Sequence, residues 1–285
     1  TSRAAPGCGD GRRQSQTGRP EVIDKRIHFL SGLPRTGSTL LGSVLAQNPA
    51  VHVTPTSPMY SLLVNANEHF NLLAVQYTFD HEVVSRRVYH AMIEAFYADI
   101  EEPIIFDKHR GWPKHVPAIA EYLSAEPKII CTVRPIAEII TSYLVLADKD
   151  KANFIDAHLK KLGQEITNEA RANLLWTHYL KTAYESMQEG LRTHPESILL
   201  VDYREIVYDA ERTLHRIYDF CEIAPFTHCW TGIENQCAEA KDEAWGLKNL
   251  HTIRPELAMQ SANPLAYLPK AAVEYFGRFD VGVMQ

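Results

Sequence analysis

The chain has 285 residues, 45% hydrophobic and 22% charged, which is enough to bury the core of a large α/β domain. Its formal net charge of −6 excludes a general basic surface of the kind that attracts nucleic acid or anionic membranes. No apolar run approaches the roughly 20 residues of a membrane span and no signal-like leader opens the chain, so we expect a cytoplasmic protein. Residues 1–20 lack apolar periodicity and are predicted to be a flexible leader or linker, followed by one domain over 21–285.

The first predicted elements lie in Arg26–Gln47, which has the sequence RIHFLSGLPRTGSTLLGSVLAQ. A short apolar run typical of a buried strand comes first, and the glycine- and proline-containing segment 31–37 then turns the chain. From Ser38 onward the apolar residues recur at helical spacing. A strand, a glycine turn and a helix in this order direct several backbone N–H groups and the positive end of a helix dipole to one point. The segment therefore predicts an anion-binding site.

The glycine turn differs from a nucleotide-hydrolysing loop at one position. Gly32 and Gly37 match the two glycines of the P-loop pattern G-x-x-x-x-G-K-[ST], but Ser38 occupies the position of the lysine. NTPases need that lysine on the outer phosphates, so hydrolysis of ATP or GTP is disfavoured. The basic residue is instead Arg35, which suits a nucleotide whose 5' end carries two linked anionic groups and needs no Mg²⁺. An ordinary tight turn is the alternative.

The stretch Leu33–Leu41 (LPRTGSTLL) resembles the loop with which the sulfotransferase family binds the 5'-phosphosulfate of 3'-phosphoadenosine 5'-phosphosulfate (PAPS). Cytosolic members usually carry Lys where Arg35 stands, so the loop is more similar to that of bacterial, Golgi carbohydrate and tyrosylprotein members. The resemblance implies that Arg35 also stabilises charge during the reaction. The nucleotide-binding residues that it implies in this loop are Arg35, Thr36, Gly37, Ser38 and Thr39.

The segment from Val51 to Pro58 follows the first helix and contains two prolines, so we predict that it is not regular structure for long and that it lines the cleft. Tyrosylprotein members of the family carry a glutamate base in this segment. This chain has hydroxyl residues there and no carboxylate, which leaves His52 and Glu68 as weaker candidates for the base. Asp80 is predicted to cap the long helix that comes next.

A second β-type run, Pro103–Phe106, is followed by the charged segment Asp107–Pro113 (DKHRGWP). Charged groups at the carboxyl end of a strand are where α/β sheets bind ligands. The family resemblance implies that Lys108 stabilises charge on the bridging oxygen of the leaving nucleotide. Cytosolic members have Lys-x-His with the histidine as base, whereas His109 directly follows Lys108. If the strand continues, His109 faces away from Lys108, so a base and a histidine packed on the far side of the sheet both remain open.

The run Lys128–Val133 predicts a fully buried strand, and Arg134-Pro135 then leads into an amphipathic helix that carries Ser142. The stretch CTVRPIAEIITSYL resembles the element with which sulfotransferases hold the 3'-phosphate of PAPS. That resemblance implies a guanidinium from Arg134 and a hydroxyl from Ser142, the donors that a dianionic phosphate requires. A salt bridge at the helix entry is the alternative for Arg134.

The second half of the chain predicts a polar insert over 147–167, a long helix over Asn168–Gly190 that ends at the glycine, and a strand over Ser197–Asp202. The segment from Tyr203 to Ile206 resembles the Tyr-Glu-Asp-Leu element of sulfotransferases, which supports the fold and adds no chemistry. The segment 246–255 loosely resembles the basic loop that closes over the nucleotide in this family. It implies 3'-phosphate contacts from Lys248 and Arg254, for which solvated charges are the alternative.

Together these patterns predict a three-layer P-loop-type α/β domain with a central, mainly parallel sheet flanked by helices. The expected function is transfer of a sulfuryl group from PAPS to an acceptor hydroxyl or, less readily, an amine. No metal is expected, since the five cysteines form no C-x-x-C pair and the mechanism needs none. Alternatives are a P-loop kinase-like phosphotransferase and a degenerate nucleotide-binding module. The acceptor, whether a small molecule, carbohydrate, lipid or peptide, is not specified by any motif, and the oligomeric state is equally open.

Overall fold

A computed structural model describes residues 25–72, 80–235, 246–248 and 250–282. Within these residues five parallel strands form one sheet in the order β2-β3-β1-β4-β5. The parallel sheet confirms the fold class expected from the alternating pattern of apolar runs and helices. The predicted leader, residues 1–20, lies outside the described residues. The strands are β1 (Arg26–Gly32), β2 (Val51–Thr56), β3 (Ile104–Lys108), β4 (Ile129–Val133) and β5 (Ile198–Asp202).

Helices cover both faces of the sheet, because the central strands are apolar on both sides and leave no face for water. The short α1 and α10 pack on one face, and a larger group that includes α3, α4 and α5 packs on the other. The helices are α1 (Ser38–Leu45), α2 (Met59–Phe70), α3 (His81–Phe96), α4 (Val116–Leu123), α5 (Ile136–Lys149), α6 (Phe154–Lys161), α7 (Asn168–Leu175), α8 (Lys181–Thr193), α9 (Tyr203–Tyr208), α10 (Ala210–Cys221) and α11 (Lys270–Gly277).

Each central strand sends alternate side chains into two separate hydrophobic cores, as the twofold repeat of a strand requires. Phe29 of β1 joins the larger core, and the next residue, Leu30, joins the smaller core under α1 and α10. Ile105 and Phe106 of β3 divide in the same way. This double anchoring holds the carboxyl ends of β1, β3 and β4 in register, where the polar loops begin.

The segment predicted to be irregular, 51–58, instead contains the edge strand β2. Pro55 is tolerated because an edge strand can lack one ladder hydrogen bond, and the pairing of β2 with β3 shifts register between Val53 and Thr56 around the proline. Lys108 of β3 donates its backbone N–H to Thr54 Oγ1 at 2.9 Å, which ties the irregular strand to the sheet. Thr56, the last residue of β2, lies at a cavity at the carboxyl end of the sheet.

The long helix predicted over Asn168–Gly190 is present as α7 and α8, joined without a break by a π-helical turn at Trp176–Leu180. The helix does not end at Gly190 but continues to Thr193. The glycine serves close packing, since a Cβ there would lie 2.4 Å from the carbonyl oxygen of Pro113. Asp80 caps α3 as predicted, accepting a hydrogen bond from the N–H of Val83. None of the described helices is both long and apolar enough to cross a bilayer.

Candidate active site

A cavity of about 570 Å³ opens at the carboxyl end of the sheet. From β1 the chain continues towards β2 on one side, and from β4 it continues to β5 on the other. The loops after β1 and β4 therefore diverge and leave a crevice of the kind in which open α/β sheets bind ligands. The cavity is lined by parts of 30–40, 108–110, 142–150 and 248–262, together with Thr56, Arg134 and Tyr203.

The turn after β1 is held by its backbone. Gly32, Arg35 and Gly37 all have positive φ, of 118°, 66° and 87°. A Cβ on Gly32 would lie 2.3 Å from the carbonyl oxygen of Thr132, and one on Gly37 would lie 2.6 Å from the ring of Tyr203. The loop thus wraps closely over β4 and delivers the chain into α1 at Ser38. The first N–H groups of α1 have no partner within the helix, which is the arrangement that favours an anion, and they lie beside the cavity.

Thr36 is fully buried, and its side chain takes no part in lining the cavity. Its hydroxyl lies 2.6 Å from the carbonyl oxygen of Leu33 and 2.6 Å from Thr132 Oγ1. The side chain therefore braces the turn against β4. Any contribution of Thr36 to nucleotide binding would have to come from its backbone.

Arg35 and Ser142 were assigned to opposite ends of a nucleotide, but the structure brings their side chains into contact. The Nε of Arg35 donates to Ser142 Oγ at 3.2 Å, and its Nη1 donates to the carbonyl oxygen of Leu250. The reason is topological: β4 pairs directly with β1, so α5 starts beside the glycine turn and carries Ser142 over it. The two predicted sites form one continuous wall of the cavity.

The guanidinium of Arg134 is only 6% exposed and lies against the glycine turn. Nη1 donates to the carbonyl oxygen of Arg35 at 3.4 Å, Nη2 to that of Gln260 at 2.6 Å, and Nε to Glu138 Oε2 at 3.0 Å. The group also lies 4.8 Å from the centre of the Tyr203 ring. Because a guanidinium has five N–H donors, these contacts orient it and leave one N–H on each terminal nitrogen for a ligand.

Lys108 is the last residue of β3, and its buried stem places Nζ 3.2 Å from Thr39 Oγ1 at the start of α1. The preceding residue, Asp107, points to the opposite side and is fully buried. Its carboxylate accepts hydrogen bonds from Tyr97 Oη and, at 2.8 Å, from Trp112 Nε1. Burial raises the pKa of Asp107, and hydrogen bonds from Ser57, Tyr97 and Trp112 oppose that rise. The end of β3 is therefore held by the buried contacts of Asp107 on one side of the sheet, while Lys108 faces the cavity on the other.

Because β3 ends at Lys108, the alternation expected of a continuing strand does not turn His109 away, and His109 and Arg110 line the same cavity as Lys108. The ring of His109 stacks on Tyr60 at 3.9 Å between centroids and 14° between planes. The N–H of Gly111 donates to its Nδ1 at 3.0 Å. Burial, followed by the neighbouring Arg110 and His115, lowers the pKa of His109 to about 4.

The remaining predicted residues divide by location. Lys248 and Arg254 line the cavity from the segment 246–262, with the N–H of Lys248 bonded to Asp150 Oδ2 at 2.9 Å. The weaker base candidates His52 and Glu68 are not among the cavity-lining residues. His52 lies near the amino end of β2, with Nδ1 3.9 Å from Glu102.

Four residues at the site had no predicted chemistry. Tyr203, given only a role in the fold, fills the space between Gly37 and Arg134. Glu138 orients Arg134 and also accepts from Arg204 at 3.1 Å. Asp107 anchors β3, and Tyr143, next to Ser142, lines the cavity. Only the i,i+4 spacing of Arg134 and Glu138 is visible in the sequence; the other roles depend on contacts between distant segments.

Among the described residues no group of three or more His, Cys, Asp or Glu side chains could hold a metal ion. The groups that line the cavity are several cations, backbone N–H groups, the carboxylates of Asp150 and Glu256, and the imidazoles of His109 and His251. Cations and N–H groups in this arrangement are of the kind that can bind a polyanionic ligand and stabilise negative charge that develops on it.

The model of the sulfotransferase family matches residues 28–228. A search of curated proteins by sequence gave no significant match. Sulfotransferase STF9 from Mycobacterium avium has a similar structure, with 16% identity over 93% of this chain and 80% of that one and a TM-score of 0.50. Mouse sulfotransferase SULT7A1, complexed with PAP, has 12% identity over 92% of this chain and 84% of that one, also with a TM-score of 0.50.

At these identities the likeness to the solved structures shows a shared fold. The family model goes further, because it covers more than half of the chain and its matched range includes the glycine turn, the end of β3 and the Arg134 element. This chain belongs to the sulfotransferase family.

Proposed function

We propose that this sulfotransferase uses PAPS as its donor and transfers the sulfuryl group to an acceptor hydroxyl or, less readily, an amine. The observation that carries the proposal is the convergence of Arg35, Lys108, Arg134 and Ser142 with the start of α1 on one cavity. A nucleotide with phosphate groups at both ends of its ribose needs such a continuous cationic wall. The PAP found in the mouse relative is a ligand of this kind.

In the proposed complex the amides of Gly37, Ser38 and Thr39 and the side chain of Arg35 hold the 5'-phosphosulfate. Arg134 and Ser142 hold the 3'-phosphate, with Lys248 and Arg254 closing over it. The acceptor oxygen attacks sulfur in line with the bond to the 5'-phosphate, and adenosine 3',5'-bisphosphate leaves. Lys108 faces this leaving oxygen and stabilises the charge that collects there, because its Nζ already lies beside Thr39 at the anion site.

Two other functions are compatible with a nucleotide loop on this scaffold. A P-loop kinase-like phosphotransferase would use ATP and Mg²⁺, and it is disfavoured because Ser38 occupies the position of the lysine that contacts the outer phosphates. A degenerate binding module would hold the nucleotide without turnover. The buried and well-anchored position of Lys108 favours an enzyme over a binding module.

Ligand-induced thermal stabilisation separates these functions, because a ligand that binds only the folded state raises Tm. We expect adenosine 3',5'-bisphosphate to raise Tm more than ATP with Mg²⁺ does; the reverse order would favour the kinase. Product mass is then measured after incubation with PAPS and a panel of phenol, sugar, peptide and lipid alcohols. Strong binding of the bisphosphate with no sulfated product on any acceptor would favour the binding module.

A further inference from the structure

The ring of His109 is held by two contacts, one on its face and one on its edge. Tyr60 of α2 stacks on one face, and the Tyr60 hydroxyl is itself fixed by His115 Nε2 at 3.0 Å. The N–H of Gly111 donates to Nδ1 of His109 along the ring edge. A side chain at position 111 would overlap Tyr60, since a Cβ would lie 2.3 Å from the Tyr60 ring. The loop after β3 is therefore built around one orientation of this imidazole.

This hydrogen bond decides which nitrogen carries the proton. A backbone N–H can only donate, so Nδ1 must be the acceptor, and the hydrogen of a neutral imidazole must be on Nε2. Turning the ring over would place a C–H against the N–H of Gly111 and lose the bond. On the far side of the ring, Nε2 has no hydrogen-bond partner in the part of the chain that the structure describes, and His109 lines the cavity next to Lys108.

The surroundings also keep the ring neutral. Arg110 lies next to it in the chain, His115 approaches from the turn at Trp112–His115, and Tyr60 covers one face from α2. Burial, followed by Arg110 and His115, lowers the pKa of His109 to about 4, so that the ring is uncharged at neutral pH. A neutral ring with its lone pair at Nδ1 already engaged has nothing at Nε2 with which to take a proton.

We propose that His109 is a hydrogen-bond donor in the sulfuryl transfer, presenting its Nε2–H to the oxygens around the reacting sulfur, and that it is not the general base; this rests on the proposed function. The acceptor oxygen forms a bond to sulfur as the bond between sulfur and the 5'-phosphate oxygen breaks, and that electron pair leaves with adenosine 3',5'-bisphosphate. The acceptor's proton passes to water at the open mouth of the cavity. His109 then stabilises the sulfuryl oxygens, and Lys108 stabilises the leaving oxygen.

Asp150, His251 and Glu256 also line the cavity, and the proposal assigns the acceptor's proton to water and not to any of them. This assignment also predicts which acceptors react well. A positioned base contributes about 10²- to 10⁴-fold in rate, so an enzyme without one depends on the acidity of the acceptor itself. Phenols, which lose their proton more readily than aliphatic alcohols, are therefore the expected acceptor class. The rising limb of the pH–rate profile should follow the ionisation of the acceptor and not that of a histidine.

Three variants of the full chain separate a donor from a base. His109→Gln keeps an N–H near the position of Nε2, His109→Asn keeps an acceptor near Nδ1 for Gly111 but loses the donor, and His109→Ala loses both. With a phenol as acceptor we expect Gln to retain kcat within about tenfold, while Asn and Ala lose about 10²- to 10³-fold. A Gln variant that folds, binds adenosine 3',5'-bisphosphate normally and is as slow as Ala would overturn the proposal.

Two measurements make the test independent of any one variant. The ¹⁵N NMR spectrum of the unaltered protein, with His109 assigned by comparison with His109→Gln, should show a neutral Nε2–H ring from pH 5 to 8; an Nδ1–H ring or a charged ring would overturn the proposal. With two phenols of different acidity, the rising limb should move with the phenol, and a limb that stays at an ordinary histidine pKa would also overturn it. Failure of the unaltered protein to bind adenosine 3',5'-bisphosphate would instead show that the proposed function is wrong.

Discussion

β1 and β3 are neighbours in the sheet and end at the same cavity, but their ends are held by different means. After β1 the chain turns through three residues of positive φ, Gly32, Arg35 and Gly37, and the shape comes from the backbone. After β3 the backbone is unremarkable in conformation, and the shape comes from side chains: Asp107 is gripped by Tyr97 and Trp112, while Tyr60 covers His109.

This difference predicts how sensitive the end of each strand is to substitution. The turn after β1 depends on residue types at fixed spacing within one short stretch, so one added Cβ is enough to disrupt it. The end of β3 depends on partners from several segments, including α2, α3 and the turn at Trp112–His115. Single substitutions there should change chemistry or alignment more than they change the fold.

The largest effect is expected for Gly32→Ala. Left-handed strain of about 1–3 kcal/mol adds to overlap with the backbone of Thr132, which costs a similar amount, so we expect a loss of about 4 kcal/mol in the free energy of unfolding. Gly163→Ala is the matched control: its φ is also positive, at 67°, but nothing lies within 4 Å of the added Cβ, so about 1 kcal/mol is expected. Urea unfolding measures both. Equal losses would mean that the close approach to β4 is unimportant.

Lys108→Ala tests the end of β3 for chemistry. We expect kcat to fall by about 10²- to 10³-fold because the charge on the leaving oxygen loses its partner, with little change in the affinity for adenosine 3',5'-bisphosphate. Lys114→Ala, an exposed lysine shortly after the same strand, should leave both quantities unchanged. If Lys108→Ala weakened nucleotide binding without lowering kcat, Lys108 would belong to the binding wall and not to the reaction.

β1, unlike β3, also carries a histidine, and that buried ring predicts acid sensitivity. His28 of β1 is 5% exposed with neither ring nitrogen hydrogen-bonded to a described residue, and burial, followed by Arg26 and Lys128, lowers its pKa to about 4. The unfolded chain then binds a proton more readily than the folded chain between pH 6.5 and 4. Stability from this group is complete above pH 6.5 and is lost as pH falls towards 4, by about 3 kcal/mol.

His28→Leu should remove this part of the pH dependence without loss of stability at pH 7, because the ring makes no hydrogen bond to a described residue that Leu would forfeit. Unfolding free energies at pH 7 and pH 4.5 measure the effect. His215→Gln, a change at an exposed histidine of α10, is the control and should change the pH dependence of stability much less. An unchanged slope in His28→Leu would assign the acid sensitivity to other groups.

Arg134→Ala should weaken adenosine 3',5'-bisphosphate by about 10- to 100-fold, the value of a charge-assisted hydrogen bond, and weaken AMP far less. The reason is that AMP lacks the 3'-phosphate assigned to Arg134. Titration calorimetry with each nucleotide gives the loss of affinity for adenosine 3',5'-bisphosphate relative to the loss for AMP. If both lost the same factor, Arg134 would act by bracing the glycine turn through the carbonyl of Arg35 and not as a phosphate ligand.

The smallest effect is expected for Tyr60→Phe, which keeps the stacked ring over His109 but removes the hydroxyl bonded to His115. We expect a fall of about fivefold in kcat with KM unchanged, equivalent to about 1 kcal/mol. Tyr60→Ala, which also removes the stacked ring, should lower kcat further. Identical values for Phe and the unaltered protein would show that the Tyr60 hydroxyl plays no part in positioning His109.

Much of the fold could be predicted because its signals are local. The buried runs of β1, β3, β4 and β5 and the helices between them require only the apolar repeat of their own segment. The edge strand β2 was missed because Pro55 normally argues against a strand, and only its place at the sheet edge makes the proline harmless. The role of Gly190 also depends on the tertiary structure. The glycine is needed for packing against Pro113, which lies 77 residues earlier in the chain, and this contact is not visible in the local sequence.

The sequence by itself determined the parts of this protein that are written in residue type and spacing: the glycine turn, the cationic residues Arg35, Lys108 and Arg134, and the parallel α/β order. Only the tertiary structure decided how these residues meet, with Arg35 reaching Ser142, Tyr203 seated beneath Arg134 and the Nδ1 of His109 engaged by Gly111. The physical reason is range. A backbone turn is set by neighbours in the chain, whereas the direction of a hydrogen bond at a side chain is set by whatever the fold brings within about 3 Å of it.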